Sequence, residues 1–311
     1  MVIHTPFLGG TYMSILQDFT DAVVKKTCTQ EGITTGYPIG NGQYNNDYMS
    51  EDSWKDYLST MHPRYVQQYM AGDGGELKPS GKRPPKMASL ISSSRMIYTL
   101  SKDIPDNHSP SFCFEEKRDT VVGHEANLDG YYCRGDKVFY VEAKCREPYS
   151  HSLVQQISHN YSSVYKWLRK QKQSSFNCVM EDKENGMMDV VFLLKGKAVQ
   201  HFDIKQMICH LLGIAAYHLR QEEEPKAIHF LYLLYDPTDL SLPEKTAGRI
   251  LDIYAQTCIA AKGYKFENIF GHIIDYLTTE HGLPRKHAET LKAGFSFSLC
   301  SQNDYNSYFQ I

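Results

Sequence analysis

Apolar residues recur at three- and four-residue steps through "SILQDFTDAVVKKTC" and "SEDSWKDYLSTMHPRYVQQYM", so the spacing predicts that residues 1–70 are mostly helical. "SEDSW" also offers a Ser or Asp cap. The pattern breaks at 71–86, "AGDGGELKPSGKRPPK", where Gly, Pro and Lys mark a loop. Helical spacing returns in "MASLISSSRMIYTL" (87–100), although its serines weaken it. Then the period changes. "SFCFEEK" (111–117), "EANLDGYYC" (125–133) and "KVFYVEAKC" (137–145) are short and rich in aromatic and β-branched residues, and read as strands.

A polar region at 150–172, "SHSLVQQISHNYSSVYKWLRKQK", reads as helical, and "DVVFLL" (189–194) as a further strand. "DIKQMICHLLGIAAYHLRQ" (203–221) is an amphipathic helix with Asp203 near its start. "AIHFLYLLYD" (227–236) is a buried strand bounded by Asp236-Pro237, and "PEKTAGRILDIYAQTCIAAKG" (243–263) is a helix closed by Gly263. Three adjacent strands form a meander, and a strand that returns after a helix pairs in parallel. The expected fold is α/β: a mixed sheet flanked by helices, with the core over 87–311 and a helical insertion at about 148–200. Residues 1–86 would be a helical extension packed on that core.

"RGDK" separates the second and third strands, and Gly135-Asp136 suits a two-residue hairpin loop because Gly accepts positive φ. That turn sets Arg134 opposite Lys137 and, further along, Asp129 opposite Glu142. Opposed Cβ atoms lie about 4.5–5.5 Å apart, so two carboxylates would meet on one face. Lys144 points to the same face, while Phe139, Val141, Ala143 and Cys145 form an apolar face for the core. Opposed like charges destabilise a strand pair by up to roughly 1 kcal/mol, and more where buried. A lysine offsets part of this. A divalent cation offsets it better, and Mg²⁺ accepts one or two carboxylates with water completing an octahedron.

Composition narrows the classes. The chain has 311 residues, enough for a sizeable core, and its formal charge is −3. That charge gives no general basic excess of the kind many nucleic-acid binders show, but it leaves room for a local basic rim. Eight cysteines show no C-x-x-C spacing, so they read as core residues in a reducing compartment rather than zinc ligands or a disulfide framework. No signal peptide and no bilayer-length apolar run is apparent, which predicts a cytoplasmic protein. Neither a phosphate-binding Gly-x-x-x-x-Gly-Lys loop nor H-E-x-x-H nor Gly-x-Ser-x-Gly is present.

Asp129 in "NLDGYY" with Glu142 and Lys144 in "VEAK" resembles the PD-(D/E)xK nuclease superfamily, the restriction-endonuclease-like fold. The helix–three strands–helix–strand order from about 87 to 236 is similar to that family's αβββαβ core, and "GGEL…PPKMASLISSSRMIY" looks like a subgroup of restriction-endonuclease-type proteins. Leu128 stands where the motif's proline would be. The resemblance implies a Mg²⁺-dependent endodeoxyribonuclease, with Mn²⁺ able to substitute, of the restriction type found in defence systems. Asp129, Glu142 and the Ala143 carbonyl would hold metal. Lys144 would position the attacking water or help deprotonate it.

The resemblance also implies two further residues. An additional acid would be Glu76, with Glu125, Glu115 and Glu116 as rivals. A glutamine would be Gln206, or Gln155 or Gln156 if the helix order differs. His210, one turn beyond Gln206, reads as a partly buried helix residue. Lys78, Lys82, Arg83 and Lys86, and Lys166, Arg169, Lys170 and Lys172 beside Tyr165 and Trp167, offer phosphate contacts and base stacking, or simply solvated faces. DNA is the expected partner and a homodimer is possible. A repair or structure-specific DNA or RNA nuclease of the same fold, or a non-catalytic DNA-binding relative, are the other readings.

Overall fold

The chain opens with helix α1 (Gly9–Glu31), followed by strands β1 (Thr35–Gly40) and β2 (Gln43–Met49) and helices α2 (Glu51–Thr60) and α3 (Pro63–Ala71). This is a computed structural model, and it describes residues 9–72, 75–81, 83–104, 112–150, 152–171, 175–183, 185–223 and 226–309. Lys82 and Lys172 fall outside them. The remaining elements are α4 (Ser93–Ser101), β3 (Cys113–Arg118), β4 (Ala126–Arg134), β5 (Lys137–Lys144), β6 (Gln155–Ser158) and α5 (Ser162–Lys170). They continue with β7 (Asn177–Asp182), β8 (Met187–Leu194), β9 (Lys197–Ala198), α6 (Ile204–Leu219), β10 (Ala227–Leu234), α7 (Glu244–Gly263), α8 (Phe266–Glu280), α9 (Ala288–Gly294) and β11 (Phe295–Ser301).

The main sheet has five strands in the order β11-β10-β5-β4-β3. β3, β4 and β5 form the antiparallel meander, and β10 joins β5 in parallel after α6. β11 then pairs with β10, also in parallel. The turn at Gly135 takes φ +57, and the register it sets is the expected one, with Arg134 opposite Lys137 and Gly130 opposite Val141.

β5 is buried on both faces. Val138 and Tyr140 join a core with α6, α8 and the insertion, while Phe139, Val141 and Ala143 join a second core with α1 and α4. α6 is apolar around most of its circumference because it is covered on several sides. Met207, Ile208, Leu211, Leu212 and Ile214 are all fully buried, and each such side chain is worth about 1.5–3 kcal/mol. Gly213 lets α6 approach the sheet closely: a Cβ there would lie 2.8 Å from the Cβ atoms of Ala126 and Arg118.

Two expectations are corrected. Residues 35–49 form a hairpin rather than helix, turning at Asn41 (φ +53) and Gly42 (φ +71). The Asn-Gly pair is a strong hairpin signal, but "QYNNDYM" lacks the apolar alternation that would mark its strand. The insertion is not chiefly helical either. β6, β8 and β7 make an antiparallel sheet, with β9 paired to β8, and only residues 162–170 of the expected 150–172 helix form α5. Among the described residues no helix is long and apolar enough to cross a membrane. All eight cysteines carry free thiols.

Candidate active site

Three strands bring three carboxylates to one transverse row of the sheet. β3 pairs Phe114 with Gly130 and Glu116 with Leu128, which sets Glu115 level with Asp129. β4 pairs Gly130 with Val141, which sets Asp129 level with Glu142. Neither acidic pair closes as a ladder pair. Glu115 instead adopts φ +56, a left-handed conformation costing a non-glycine residue about 1–2 kcal/mol.

The alternation of β4 also slips at this row. Leu128 lies in the core on the α6 side, yet a Cβ on Gly130, two residues on, would meet Phe112 and Ile97 in the opposite core. The carboxylate of Asp129 uses the gap. Its Oδ2 accepts the Ala143 N–H at 2.7 Å, a side-chain acceptor where a ladder would supply a backbone carbonyl. The expected face-to-face pair of Asp129 and Glu142 is therefore corrected to a splayed arrangement in which both line one cavity of about 320 Å³.

Glu142 is almost wholly buried, with 1 % of its surface exposed. Its Oε1 lies 2.6 Å from Lys144 Nζ and its Oε2 lies 2.9 Å from His210 Nε2. Those are ion-pair contacts, and neither carboxylate oxygen has a hydrogen-bond partner beyond them. Lys144 instead donates to Gln206 Oε1 at 2.6 Å. Gln206 is placed by the N-terminus of α6, where the Asp203 side chain accepts its backbone N–H at 2.9 Å.

The electrostatics follow from burial. Burial pushes the Asp129 carboxyl well above the usual carboxylate range, and Glu142 and Glu115 push it the same way against the pull of Lys144 and the Ala143 N–H. Burial also works against ionised Glu142, but Lys144 and His210 outweigh it and hold its carboxyl below the ordinary value. Burial opposes the charge on Lys144, yet Glu142 and then Glu147 keep its ammonium well above the ordinary value. Burial, then Glu76, raise Glu115 to about 7.

Glu76 reaches the cavity from the segment ahead of α4, not from the core helix itself. The Met87 N–H donates to its backbone carbonyl at 3.0 Å, and its Oε1 accepts from Lys86 Nζ at 2.7 Å. Its Oε2 is buried with no hydrogen-bond partner. Of the rival acids, Glu115 lines the cavity, Glu116 pairs with Arg118, and Glu125 is exposed and lines a neighbouring cavity. Gln155 is buried on β6, and it and Gln156 lie outside the acidic cavity.

Pattern reasoning missed His210 and Glu147. His210 shares a helical face with Gln206, but nothing in the sequence places that face over Glu142. Glu147 accepts from Ser93 Oγ at 2.7 Å and from the Cys145 N–H at 2.8 Å, tying the start of α4 to the end of β5.

No family model matches the chain. No curated protein and no solved structure matches it either.

The donors present fit a hard cation. Glu76 Oε2 is buried with no hydrogen-bond partner, the oxygens of Glu142 are held by ion pairs to Lys144 and His210, and Ala143 lines the same space. Among the described residues no three His, Cys, Asp or Glu side chains converge into a ready-made metal cluster. Mg²⁺ does not require one, because it keeps several waters and takes one or two carboxylates. The basic rim is partly present: Lys86 lines the cavity, while Lys166, Arg169 and Lys170 are exposed on α5. Base stacking beside those residues is corrected. Tyr165 is fully buried, and Trp167 Nε1 donates to the His272 carbonyl at 3.1 Å.

Proposed function

We propose that the chain is a metal-dependent nuclease with a restriction-endonuclease-like core, hydrolysing phosphodiester bonds in DNA. One observation carries the reading. Asp129, Glu142, Ala143 and Lys144 meet at the splayed end of one hairpin, in a cavity also lined by Glu76, whose buried Oε2 has no hydrogen-bond partner. The order α4, β3, β4, β5, α6, β10 supports the same reading, since it is the order the resemblance implies.

Asp129, Glu142 and the Ala143 carbonyl would hold Mg²⁺ or Mn²⁺, with Glu76 and Glu115 nearby as additional acids. When bound, the ion lowers the pKa of water and offsets charge on the scissile phosphate. Lys144 lies against Glu142 and donates to Gln206, which places its ammonium to orient the nucleophile and offset developing negative charge. Gln206 fixes the ammonium through its 2.6 Å hydrogen bond, and His210 braces Glu142 from α6. Lys86 places a cation at the same cavity for an incoming phosphate.

The test is incubation of the purified chain with supercoiled, linear and single-stranded DNA and with RNA, with and without Mg²⁺ or Mn²⁺. Cation-dependent cleavage that Glu142→Ala eliminates is expected. Cleavage that persists in EDTA, or survives that substitution, overturns the assignment.

A further inference from the structure

A second cavity, of about 510 Å³, adjoins the acidic one between α6 and the insertion sheet. The two share Asn127 and Gln206 as walls. Its volume falls in the range of roughly 300–1,000 Å³ that suits small organic ligands. Ile157, Met187 and the ring of Tyr161 give it apolar walls. Two buried polar groups in it have no hydrogen-bond partner: the hydroxyl of Tyr165, which is fully buried, and Nδ1 of His210, whose residue is 1 % exposed. Asn127 Oδ1 is a third unpartnered atom on the shared wall. A buried hydroxyl or ring nitrogen left unsatisfied costs about 1–3 kcal/mol, so apolar walls with unanswered polar atoms favour a flat ligand with polar edges.

We propose that this cavity receives the base of the nucleotide next to the scissile phosphate, so that the substrate is a strand whose base there is unpaired or turned out of the helix. The inference rests on the nuclease reading above. A base stacked in a duplex cannot reach a recessed cavity without leaving the stack. A nucleobase supplies both a π-face for Tyr161, Ile157 and Met187 and edge donors and acceptors for Tyr165, His210 and Asn127. Lys205 and His124, also at this cavity, provide cationic or hydrogen-bonding contacts for the flanking backbone.

The test uses the full chain and single-stranded oligonucleotides that carry an abasic residue at successive positions. Binding is measured in Ca²⁺, which offsets the acids but lacks the strict octahedral demand of Mg²⁺, and cleavage is measured in Mg²⁺. One position, next to the cut, should lose affinity by about tenfold or more when abasic. Gln156→Trp and Met187→Trp each add bulk at the cavity from part-exposed or exposed strand positions, and should abolish that positional dependence. Equal affinity at every position, or dependence that survives both substitutions, overturns the proposal. A positional base effect without cleavage of any nucleic acid keeps the base cavity and overturns the nuclease reading. Cleavage indifferent to every abasic position does the reverse, and no binding of any oligonucleotide overturns both.

Discussion

Glu115→Gln should stabilise the metal-free protein in mild alkali and leave it nearly unchanged in acid. Burial and the neighbouring Glu76 raise the Glu115 carboxyl to about 7, whereas in the unfolded chain it ionises near the ordinary 4.5. Between those values the folded state holds a proton that the unfolded state has released. Stability contributed by this group is thus lost as pH rises, by about 1.4 kcal/mol per pH unit across the window. The full loss above the folded value is on the order of 3 kcal/mol, and partial exposure of Glu115 trims it to roughly 1–3 kcal/mol. Glutamine keeps the length of the side chain and an acceptor for Asn127 Nδ2, but it cannot ionise. Urea unfolding in EDTA at about pH 4 and about pH 8 reads the difference directly. The variant should match the parent at the lower pH and exceed it by that amount at the higher one. Millimolar Mg²⁺ should erase the advantage, since the cation offsets the same charge. An equal difference at both pH values, or a variant less stable at the higher one, refutes the reasoning.

Lys144→Ala should reduce Mg²⁺-dependent cleavage of plasmid DNA by at least about 10²–10³-fold. It should also cost about 3–5 kcal/mol of stability in chemical denaturation, because Glu142 is left buried without its cation. Asp129→Asn retains an acceptor for the Ala143 N–H, so circular dichroism should be unchanged while calorimetric titration shows weaker Mg²⁺ binding; native affinity would remove Asp129 from the ligand set. Gln206→Ala should lower the cleavage rate by about tenfold with little change in melting temperature, since it frees the Lys144 ammonium without uncovering a charge. Gly130→Ala should destabilise by about 1–3 kcal/mol, because its Cβ would lie 2.5 Å from a Phe112 ring carbon.

The parts legible in the sequence are those set by local rules. A Gly-Asp turn fixed the β4–β5 register, and uninterrupted apolar runs marked β5, α6 and β10. The parts that were not legible depend on distant packing. The β1–β2 hairpin carries a turn signal but half-exposed polar strands, so its helix-like flanks dominated the reading. β6 spans only four residues, too few for periodicity to show. His210 could be placed on the face of Gln206 from helix geometry alone. Its meeting with Glu142 depends on how closely α6 settles on the sheet at Gly213, which no local pattern records.

Glu115 shows the same division within the site. The β4–β5 connection is a tight turn, so it transmits register and sets Asp129 level with Glu142 by local rules alone. The segment between β3 and β4, residues 119–125, is too long to transmit register, so the third acid of the row could not be assigned from sequence. Once the row is known, its irregularities have one cause. A regular ladder would hold three carboxylates side by side, each about 4.5–5.5 Å from the next. The sheet avoids this by turning Glu115 into a left-handed conformation and by aiming Asp129 at a backbone N–H across the gap. Both departures fall in the row that lines the cavity. The repulsion that disfavours regular pairing is also what a divalent cation would relieve, so the break in the sheet and the proposed metal site share one electrostatic origin.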